Sequence, residues 1–269
     1  MDNRPIGVFD SGFGGLTAVR ALRRLLPEED IVFFADNGRA PYGGREREQL
    51  RLMARQDLAL LLEHGVKAVI AACGTVSSNA AGELRAAPVP VVGMIEAPVE
   101  AISERGGQGC VGVIATEATV RAGAFAEALR ARCPGRRIVS VACPDFVPLI
   151  ESGHVLPDDP AVAEAAERYL APLRAEKPQA LLLGCTHYGL IAPAIRACLG
   201  AEVELVEASS CAAARMAAYL TEHGMCGGRG RLQCLTSGDR ARFAALAPLL
   251  LGSEDALDVT ALSPMEDTV

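Results

Sequence analysis

The stretch Val69-Ile70-Ala71-Ala72-Cys73-Gly74-Thr75 predicts a strand followed by a helix, because an apolar run of strand length ends in a cysteine and a turn into helix-like sequence. The stretch Leu181-Leu182-Leu183-Gly184-Cys185-Thr186-His187 has the same pattern in the second half of the chain. A cysteine at the carboxyl end of a strand, beside a helix N-terminus, lies where α/β sheets place reactive groups. The helix dipole and free backbone N–H groups there favour the thiolate. Two such thiols predict a chemistry in which two sulfur atoms face each other.

The rest of the chain alternates short apolar runs with longer stretches of helical period. This alternation predicts an α/β fold of mostly parallel sheets flanked by helices. The two halves also open alike, with Gly7-Val8-Phe9-Asp10-Ser11 in the first and Gly112-Val113-Ile114-Ala115-Thr116 in the second. We therefore expect two similar domains, residues 1–97 plus 209–269 and residues 98–208, with the active site in the cleft between them.

The pattern also predicts where individual elements lie. The predicted strands are Ile6–Asp10, Ile31–Ala35, Ala68–Ala72, Val89–Val92, Val111–Ala115, Ile138–Ala142, Ala180–Gly184, Val203–Glu207 and Leu232–Thr236. The predicted helices begin near Gly14, Glu46, Thr75, Thr119, Asp159, Tyr188, Ser210 and Asp239. We expect Ala97–Gly109 to cross between the domains, the helix Cys211–His223 to pack back on the first domain, and Ser263–Val269 to be frayed.

Composition limits the class of protein. The net charge of −7 and a pI near 5.2 argue against nucleic acid or an anionic membrane as the main partner. No apolar run reaches the roughly 18 residues that span a bilayer, and Met1–Pro5 lacks the features of a signal peptide. Nine scattered cysteines, an odd number without Cys-x-x-Cys pairs, fit free thiols in a reducing cytosol. We expect a soluble cytoplasmic protein whose site holds no metal.

The turn Asp10-Ser11-Gly12-Phe13-Gly14-Gly15 has two interpretations. Its glycines and the following helix favour close approach of an anionic ligand. A purely structural turn with Ser11 near the helix N-cap explains the same residues. A dinucleotide-binding fingerprint, with Asp36 after the second strand, fits less well. Thr17 replaces the third glycine of that fingerprint, and the carboxylate of Asp10 repels a pyrophosphate.

Other polar residues follow strands at the same edge. The turn from Asp36 to Gly44 carries a carboxylate, a guanidinium and a phenol, although a solvated loop is the ordinary alternative. His187 is placed to form a thiol–imidazole pair with Cys185, or to serve as a capping or core residue. Glu151 precedes a surface loop around His154 and can reach into a cleft from there.

The only lysines are Lys67 and Lys177, each just before an apolar strand. That is the wrong end of a parallel strand for a Schiff-base lysine, so pyridoxal-phosphate chemistry is not expected. Buried cysteine behaves as a small hydrophobe, and packing is the expected role of six others. These are Cys110, Cys133, Cys143, Cys198, Cys211 and Cys234.

Taken together, these motifs resemble those of the bacterial glutamate racemases, in the cofactor-independent aspartate/glutamate racemase superfamily. The resemblance covers nearly the whole chain, and the order and spacing of the motifs make it specific. The matching segments are Gly7–Gly12, Pro27–Asp30, Pro41–Gly43, Cys73–Thr75, Met94–Glu96, Gly112–Thr116 and Leu183–Tyr188.

The resemblance implies that Cys73 and Cys185 form an acid–base pair on opposite faces of the substrate α-carbon, assisted by Asp10 and His187. A thiol with an unperturbed pKa of about 8.5 can act in either state near neutral pH after modest tuning. The resemblance also implies auxiliary carboxylates at Asp36 and Glu151, and no cofactor. The substrate-binding residues it implies are Ser11, Pro41, Tyr42, Gly43, Gly74, Thr75, Thr116 and Thr186.

By the same resemblance, the expected partner is the small molecule glutamate, the product supplies D-glutamate for peptidoglycan, and the chain forms a homodimer. Two places in the sequence depart from the family pattern. Gly74 stands where asparagine is common, and Glu207-Ala208-Ser209 stands where an aspartate is usual. The first departure bears on substrate affinity and choice, and neither removes a catalytic group.

Three alternatives remain open at this stage. The first is a racemase of the same superfamily that acts on aspartate. Aspartate is one methylene shorter than glutamate, and a simple pocket discriminates such substrates by only about 1–3 kcal/mol. A nicotinamide-dependent oxidoreductase would use the Gly12–Gly15 turn. A non-catalytic binding protein would keep both strand-terminal cysteines as inert packing.

Overall fold

Parallel strands and helices alternate along the chain in the computed structural model, which describes residues 1–252 and 257–262. The strands are β1 (Ile6–Asp10), β2 (Ile31–Ala35), β3 (Ala68–Ala71), β4 (Val91–Val92), β5 (Val111–Ala115), β6 (Ile138–Ala142), β7 (Ala180–Leu183), β8 (Glu204–Glu207), β9 (Leu232–Thr236) and β10 (Asp258–Ala261). The helices are α1 (Leu16–Leu25), α2 (Arg47–Glu63), α3 (Gly74–Asn79), α4 (Ala81–Arg85), α5 (Glu96–Glu104), α6 (Glu117–Ala122), α7 (Ala124–Arg132), α8 (Phe146–Glu151), α9 (Pro160–Glu176), α10 (Ala192–Leu199), α11 (Ala208–Glu222) and α12 (Arg240–Leu251). A 3-10 turn, Tyr188–Ile191, precedes α10.

The strands form two parallel sheets with related topology. The six-stranded sheet has the order β10-β9-β2-β1-β3-β4, and the four-stranded sheet has the order β6-β5-β7-β8. The segment β2-β1-β3-β4 therefore has the same connectivity as the whole second sheet. In this correspondence β3, which leads to Cys73, matches β7, which leads to Cys185. The predicted likeness of the two halves is confirmed, as is the α/β class.

The apolar runs form strands because helices cover both faces of each sheet. All residues of β1, β2, β3, β5 and β7 are buried, as expected for central strands of a parallel sheet. Strands at the edges, β4, β6 and β10, are only partly buried. The central strands consequently hold the residues at their carboxyl ends in fixed positions.

A shared hydrophobic core joins the halves. Helix α11 packs on α1, as predicted for Cys211–His223, and α5 packs against both α7 and α11. One cluster of buried side chains includes Val8 and Leu22 of the first half together with Val113 and Leu182 of the second. Strands of the six-stranded sheet come from residues 6–92 and 232–261, and those of the other sheet from residues 111–207. The predicted division at 97/98 and 208/209 stays a prediction.

Several element boundaries differ from the sequence pattern for local reasons. The expected crossing Ala97–Gly109 contains most of helix α5. Pro98 is compatible with this helix because it lies in the first turn, where the backbone N–H has no partner within the helix. The helix expected near Thr119 begins at Glu117, because Thr116 is its N-cap. Strand β4 begins only after Pro90, which has no N–H to give to the ladder.

The sequence pattern missed β10, an edge strand in which only Val259 is buried. The segment Ser263–Val269, which was expected to be frayed, lies outside the described residues. Among residues 1–252 and 257–262, no helix has the length and apolar character needed to cross a membrane.

Candidate active site

A cavity of about 530 Å³ lies where the carboxyl ends of both sheets face each other. Turns from both halves line it, so its walls are fixed by β1, β3, β5 and β7. Every site residue predicted from the sequence lines this cavity except Asp36. The predicted residues on its wall are Asp10, Ser11, Pro41, Tyr42, Gly43, Cys73, Gly74, Thr75, Thr116, Glu151, Cys185, Thr186 and His187.

Cys73 follows β3 and is the N-cap residue of α3. Its side chain is buried, and its thiol donates a hydrogen bond to Ser11 Oγ at 3.3 Å. Burial raises the pKa of the Cys73 thiol to about 12, and the charge of Asp10 adds to this effect. These surroundings favour the protonated thiol in the resting protein.

Asp10 ends β1 and fixes the turn that follows it. Its Oδ2 accepts a 2.6 Å hydrogen bond from the N–H of Gly15 and a 3.4 Å bond from the hydroxyl of Thr186. Burial raises the pKa of Asp10, while His187 and the N–H groups of Gly15 and Ser11 oppose the rise. The alternative that placed Ser11 near the N-cap is wrong, because α1 starts at Leu16 with Gly15 as its N-cap.

Cys185 lies at the equivalent position after β7 and has a different set of neighbours. Nδ1 of His187 is 3.8 Å from Sγ of Cys185, and Nε2 of the same ring is 3.2 Å from Oε1 of Glu151. Burial opposes protonation of His187, but the hydrogen bonds with Cys185 and Glu151 prevail and raise its pKa to about 10. An imidazolium at this distance stabilises negative charge on the sulfur.

Three threonine hydroxyls from the two halves meet beside the cavity, and two of these residues, Thr75 and Thr116, line it. Oγ1 of Thr75 is 3.0 Å from Oγ1 of Thr116 and 3.4 Å from Oγ1 of Thr119. Thr116 and Thr119 are themselves 2.9 Å apart. Because hydroxyls both donate and accept, this cluster can receive a carboxylate or an ammonium group. Sequence reasoning placed Thr119 only at a helix start and missed its part in this cluster.

The turn from Asp36 to Gly44 is held by a buried network beneath the cavity. Asp36 is fully buried and accepts hydrogen bonds from Arg39 Nε at 2.6 Å and Ser237 Oγ at 2.7 Å. Asp57 on α2 accepts from Arg39 Nη2 at 2.9 Å, and the Tyr42 hydroxyl donates to both carboxylates. Tyr42 therefore directs its hydroxyl away from the cavity and positions its own loop. Asp57 was not among the predicted residues.

Burial dominates the ionisation of this network. It raises the pKa of Asp36, and it raises that of Asp57 far more, because the nearby charge of Asp36 acts in the same direction. Burial and both carboxylates raise the pKa of Tyr42, which keeps the phenol protonated as a hydrogen-bond donor. Asp36 is thus a support for the Pro41–Gly43 turn and not a wall of the cavity.

Close backbone approaches join the two thiol-bearing turns. A Cβ atom at Gly74 would overlap the carbonyl oxygen of Gly184, and one at Gly14 would overlap the side chains of Thr186 and His187. Thr17, which breaks the dinucleotide fingerprint, donates to the Thr186 carbonyl at 3.2 Å and to Ser209 Oγ at 2.9 Å. The residue that departs from that fingerprint is therefore a contact between the halves.

Sequence reasoning also missed Arg242 and Asn37, which both line the cavity. Arg242 Nη2 donates to Oε2 of Glu151 at 2.8 Å, across 91 positions of sequence. No local motif marks such a contact, because α12 reaches the cavity only after β9 has joined the first sheet.

The lysines and the remaining cysteines lie away from the cavity. Lys67 is buried at the amino end of β3, where Nζ pairs with Glu29 at 2.6 Å, and Lys177 caps the C-terminus of α9. Neither lines the cavity, as predicted. Cys133, Cys143 and Cys234 are buried, in agreement with a packing role. The part of the chain that the structure describes contains no cluster of three or more His, Cys, Asp or Glu side chains placed to hold a metal ion.

Comparison with known proteins gives consistent results. Residues 16–216 match the sequence model of the Asp/Glu/hydantoin racemases. The glutamate racemase of Gloeobacter violaceus is 38% identical over 260 residues, which are 97% of each chain. The crystal structure of Francisella tularensis glutamate racemase in complex with D-glutamate has a TM-score of 0.88 at 34% identity and covers 99% of both chains. The Thermus thermophilus enzyme in complex with beta-chloro-D-alanine has a TM-score of 0.86 at 41% identity over 98% of both chains.

Proposed function

This chain belongs to the Asp/Glu/hydantoin racemase family, and from that premise we propose that it interconverts L- and D-glutamate by proton transfer between Cys73 and Cys185. The observation that carries the proposal is the placement of two thiols, at the ends of the equivalent strands β3 and β7, on the wall of one cavity. The Francisella tularensis glutamate racemase, a structural relative of this chain, was crystallised with D-glutamate.

The reaction requires two groups on opposite sides of the α-carbon. One thiolate removes the α-proton, the bond electrons remain as a carbanion stabilised by the adjacent carboxylate, and a thiol on the other face delivers its proton. The sulfur atoms exchange protonation states in each turnover, so the same pair runs the reverse reaction. General acid–base catalysis of this kind supplies about 10²- to 10⁴-fold in rate.

The surroundings of the two sulfurs differ in the charge that lies next to each. The raised pKa of Cys73, about 12, holds a proton on that sulfur. His187, with its pKa raised to about 10, carries a positive charge next to Cys185 near neutral pH. A protonated thiol on one wall and a sulfur in contact with a cationic imidazole on the other support a two-base inversion.

The remaining wall residues provide fixed polar contacts for an amino acid. The residues that line the cavity include Ser11, Thr75, Thr116 and Thr186, which carry hydroxyls, and the glycines Gly43 and Gly74. We assign them to the two carboxylates and the amino group of glutamate. Donors that are already oriented stabilise a developing carbanion without reorganisation, and enclosure between the halves strengthens these interactions by excluding water.

We further propose that the enzyme acts in the cytoplasm and supplies D-glutamate for peptidoglycan. The nine free cysteines fit a reducing compartment. We also propose a homodimer, which light scattering of the purified protein would test.

The direct experiment incubates the purified protein with L-glutamate in D₂O without added cofactor. Circular dichroism follows the loss of optical activity, and proton NMR follows deuterium entering the α-position. We expect both signals to decay to the racemate, and protein alkylated beforehand with iodoacetamide to be inactive. Reaction of L-aspartate but not L-glutamate would replace the substrate in this proposal, and inertness toward every amino acid would refute the racemase assignment.

A further inference from the structure

One ion pair connects the two halves across the wall of the cavity. Arg242 lies in the first turn of α12, in the half that contains the six-stranded sheet, and Glu151 ends α8 in the other half. Nη2 of Arg242 is 2.8 Å from Oε2 of Glu151, and both residues line the cavity.

Glu151 is bound on both of its oxygens. Oε2 accepts from Arg242, while Oε1 faces Nε2 of His187 at 3.2 Å. Nδ1 of His187 lies 3.8 Å from Sγ of Cys185. A continuous series of polar contacts thus runs from α12 through Glu151 and His187 to one of the two sulfurs.

The Arg242 end of this series is held firmly. Asp239 caps α12 and accepts a hydrogen bond from the backbone N–H of Arg242 at 3.2 Å. The guanidinium lies over the ring of Phe13, 5.6 Å from its centroid, and Phe13 packs edge-on against Phe243 at 5.9 Å. Phe13 belongs to the same turn as Ser11, so Arg242 contacts the turns on both sides of the cavity.

We propose that Arg242 is a positioning residue for Cys185, which acts by holding Glu151 in the orientation that presents its second oxygen to His187. The proposal rests on the two-thiol racemization proposed above. Glu151 ends a short helix, and without Arg242 its side chain regains rotamers that do not reach the imidazole. Exposed ion pairs contribute little to stability, and Arg242 is 56% exposed. Its contribution is therefore orientation of the carboxylate and not support of the fold.

The direct contacts of this series end at one sulfur, that of Cys185. Cys73 is hydrogen-bonded to Ser11 and faces Asp10, and neither residue accepts a hydrogen bond from Arg242. Loss of the guanidinium should therefore change the reactivity of Cys185 much more than that of Cys73. If Arg242 bound the substrate instead, its loss would raise KM without altering the reactivity of either thiol in the substrate-free protein.

The test uses three variants of the full chain. Arg242→Met keeps an unbranched side chain and removes the charge, Arg242→Lys keeps the charge, and Arg215→Met is the matched control. Arg215 is 54% exposed and pairs with Glu100 between α11 and α5, and it does not line the cavity.

The first readout is the rate of iodoacetamide alkylation of each cysteine, measured by peptide mass spectrometry between pH 6 and 9 without substrate. We expect Arg242→Met to slow alkylation of Cys185 about fivefold, the size of one partly exposed ionic contact. Arg242→Lys should recover most of the rate, and Arg215→Met should match the wild type. Unchanged Cys185 reactivity in Arg242→Met, or equal slowing at Cys73, would overturn the proposal.

The second readout is the steady-state rate with glutamate. We expect kcat of Arg242→Met to fall about fivefold with KM within twofold of the wild-type value. A raised KM with normal kcat would assign Arg242 to substrate binding instead. A wild-type protein that fails to racemize glutamate would refute the proposed function. The effect of Arg242 on the alkylation rate of Cys185 could still be measured, because alkylation needs no substrate.

Discussion

Cys73 and Cys185 occupy equivalent strand ends, yet their environments differ in a way that matches their proposed roles. Cys73 is buried beside the carboxylate of Asp10, which disfavours negative charge on sulfur. Cys185 is partly exposed and lies beside His187, whose raised pKa brings a positive charge to it. Related folds thus place one sulfur beside a carboxylate and the other beside a cationic imidazole.

Gly74 shows how one missing side chain sets the distance between the halves. A Cβ atom at position 74 would overlap the carbonyl oxygen of Gly184, and these two glycines are the sequence neighbours of Cys73 and Cys185. A side chain at position 74 has no room in this arrangement. The departure from the usual asparagine therefore allows the thiol-bearing turns to approach more closely.

The substitution Gly74→Ala tests this role. The added Cβ forces the turns apart, and a misplacement of about 1 Å costs about 100-fold in rate. We expect kcat/KM for glutamate to fall by that order. Gly82→Ala is the control, because nothing lies near a Cβ at that position of α4. Activity of Gly74→Ala equal to that of Gly82→Ala would contradict the steric account.

At the scale of elements, helix α2 supports the wall that Pro41–Gly43 contributes to the cavity. Asp57 projects from α2 to Arg39 and Tyr42, so the loop is anchored to a helix of the same half. Two buried carboxylates share this network with one guanidinium. Burial and the charge of Asp36 therefore raise the pKa of Asp57 well above its usual range.

Because the pKa of Asp57 is raised in the folded protein, we expect the free energy of unfolding to depend on pH through this residue. Since the unfolded chain releases this proton near pH 4, the contribution of Asp57 to the free energy of unfolding should fall as the pH rises above that value. The variant Asp57→Asn lacks this dependence. Its stability relative to wild type should therefore improve with rising pH, by at most about 1.4 kcal/mol per pH unit.

Urea unfolding between pH 4 and 8 measures this difference. Glu48→Gln on the same helix is the control, since Glu48 makes an exposed ion pair with Arg51, and its difference from wild type should stay nearly constant. A constant difference for Asp57→Asn, or one that changes in favour of wild type as the pH rises, would contradict the buried network described here.

At the scale of the whole molecule, the sequence predicted what depends on local pattern. Five strand ranges, beginning at Ile6, Ile31, Val111, Ile138 and Leu232, agree with the structure to the residue. Buried parallel strands are short apolar runs between turn residues, and this contrast marks them clearly. The cavity wall followed from the same pattern, because parallel strands bring their carboxyl ends to one edge.

Contacts between distant elements were beyond such reasoning. Arg242 contacts Glu151, and Asp57 contacts Tyr42, because of the way the helices pack. The periodicity of apolar residues along the sequence does not determine the relative positions of helices. Thr119 looked like an ordinary helix start, although its hydroxyl belongs to a cluster from both halves. The edge strand around Val259 was missed because a half-exposed strand has no continuous apolar run.

Racemization by two thiols requires both Cys73 and Cys185, so single-thiol variants are the decisive test. Cys73→Ala and Cys185→Ala are each incubated in D₂O with pure L- or pure D-glutamate, and proton NMR follows α-hydrogen exchange. We predict that neither variant racemizes glutamate, because inversion needs both faces. Each should still exchange the α-hydrogen of one enantiomer, and the two variants should select opposite enantiomers. Undiminished racemization by Cys73→Ala, or exchange of the same enantiomer by both variants, would contradict the two-thiol mechanism.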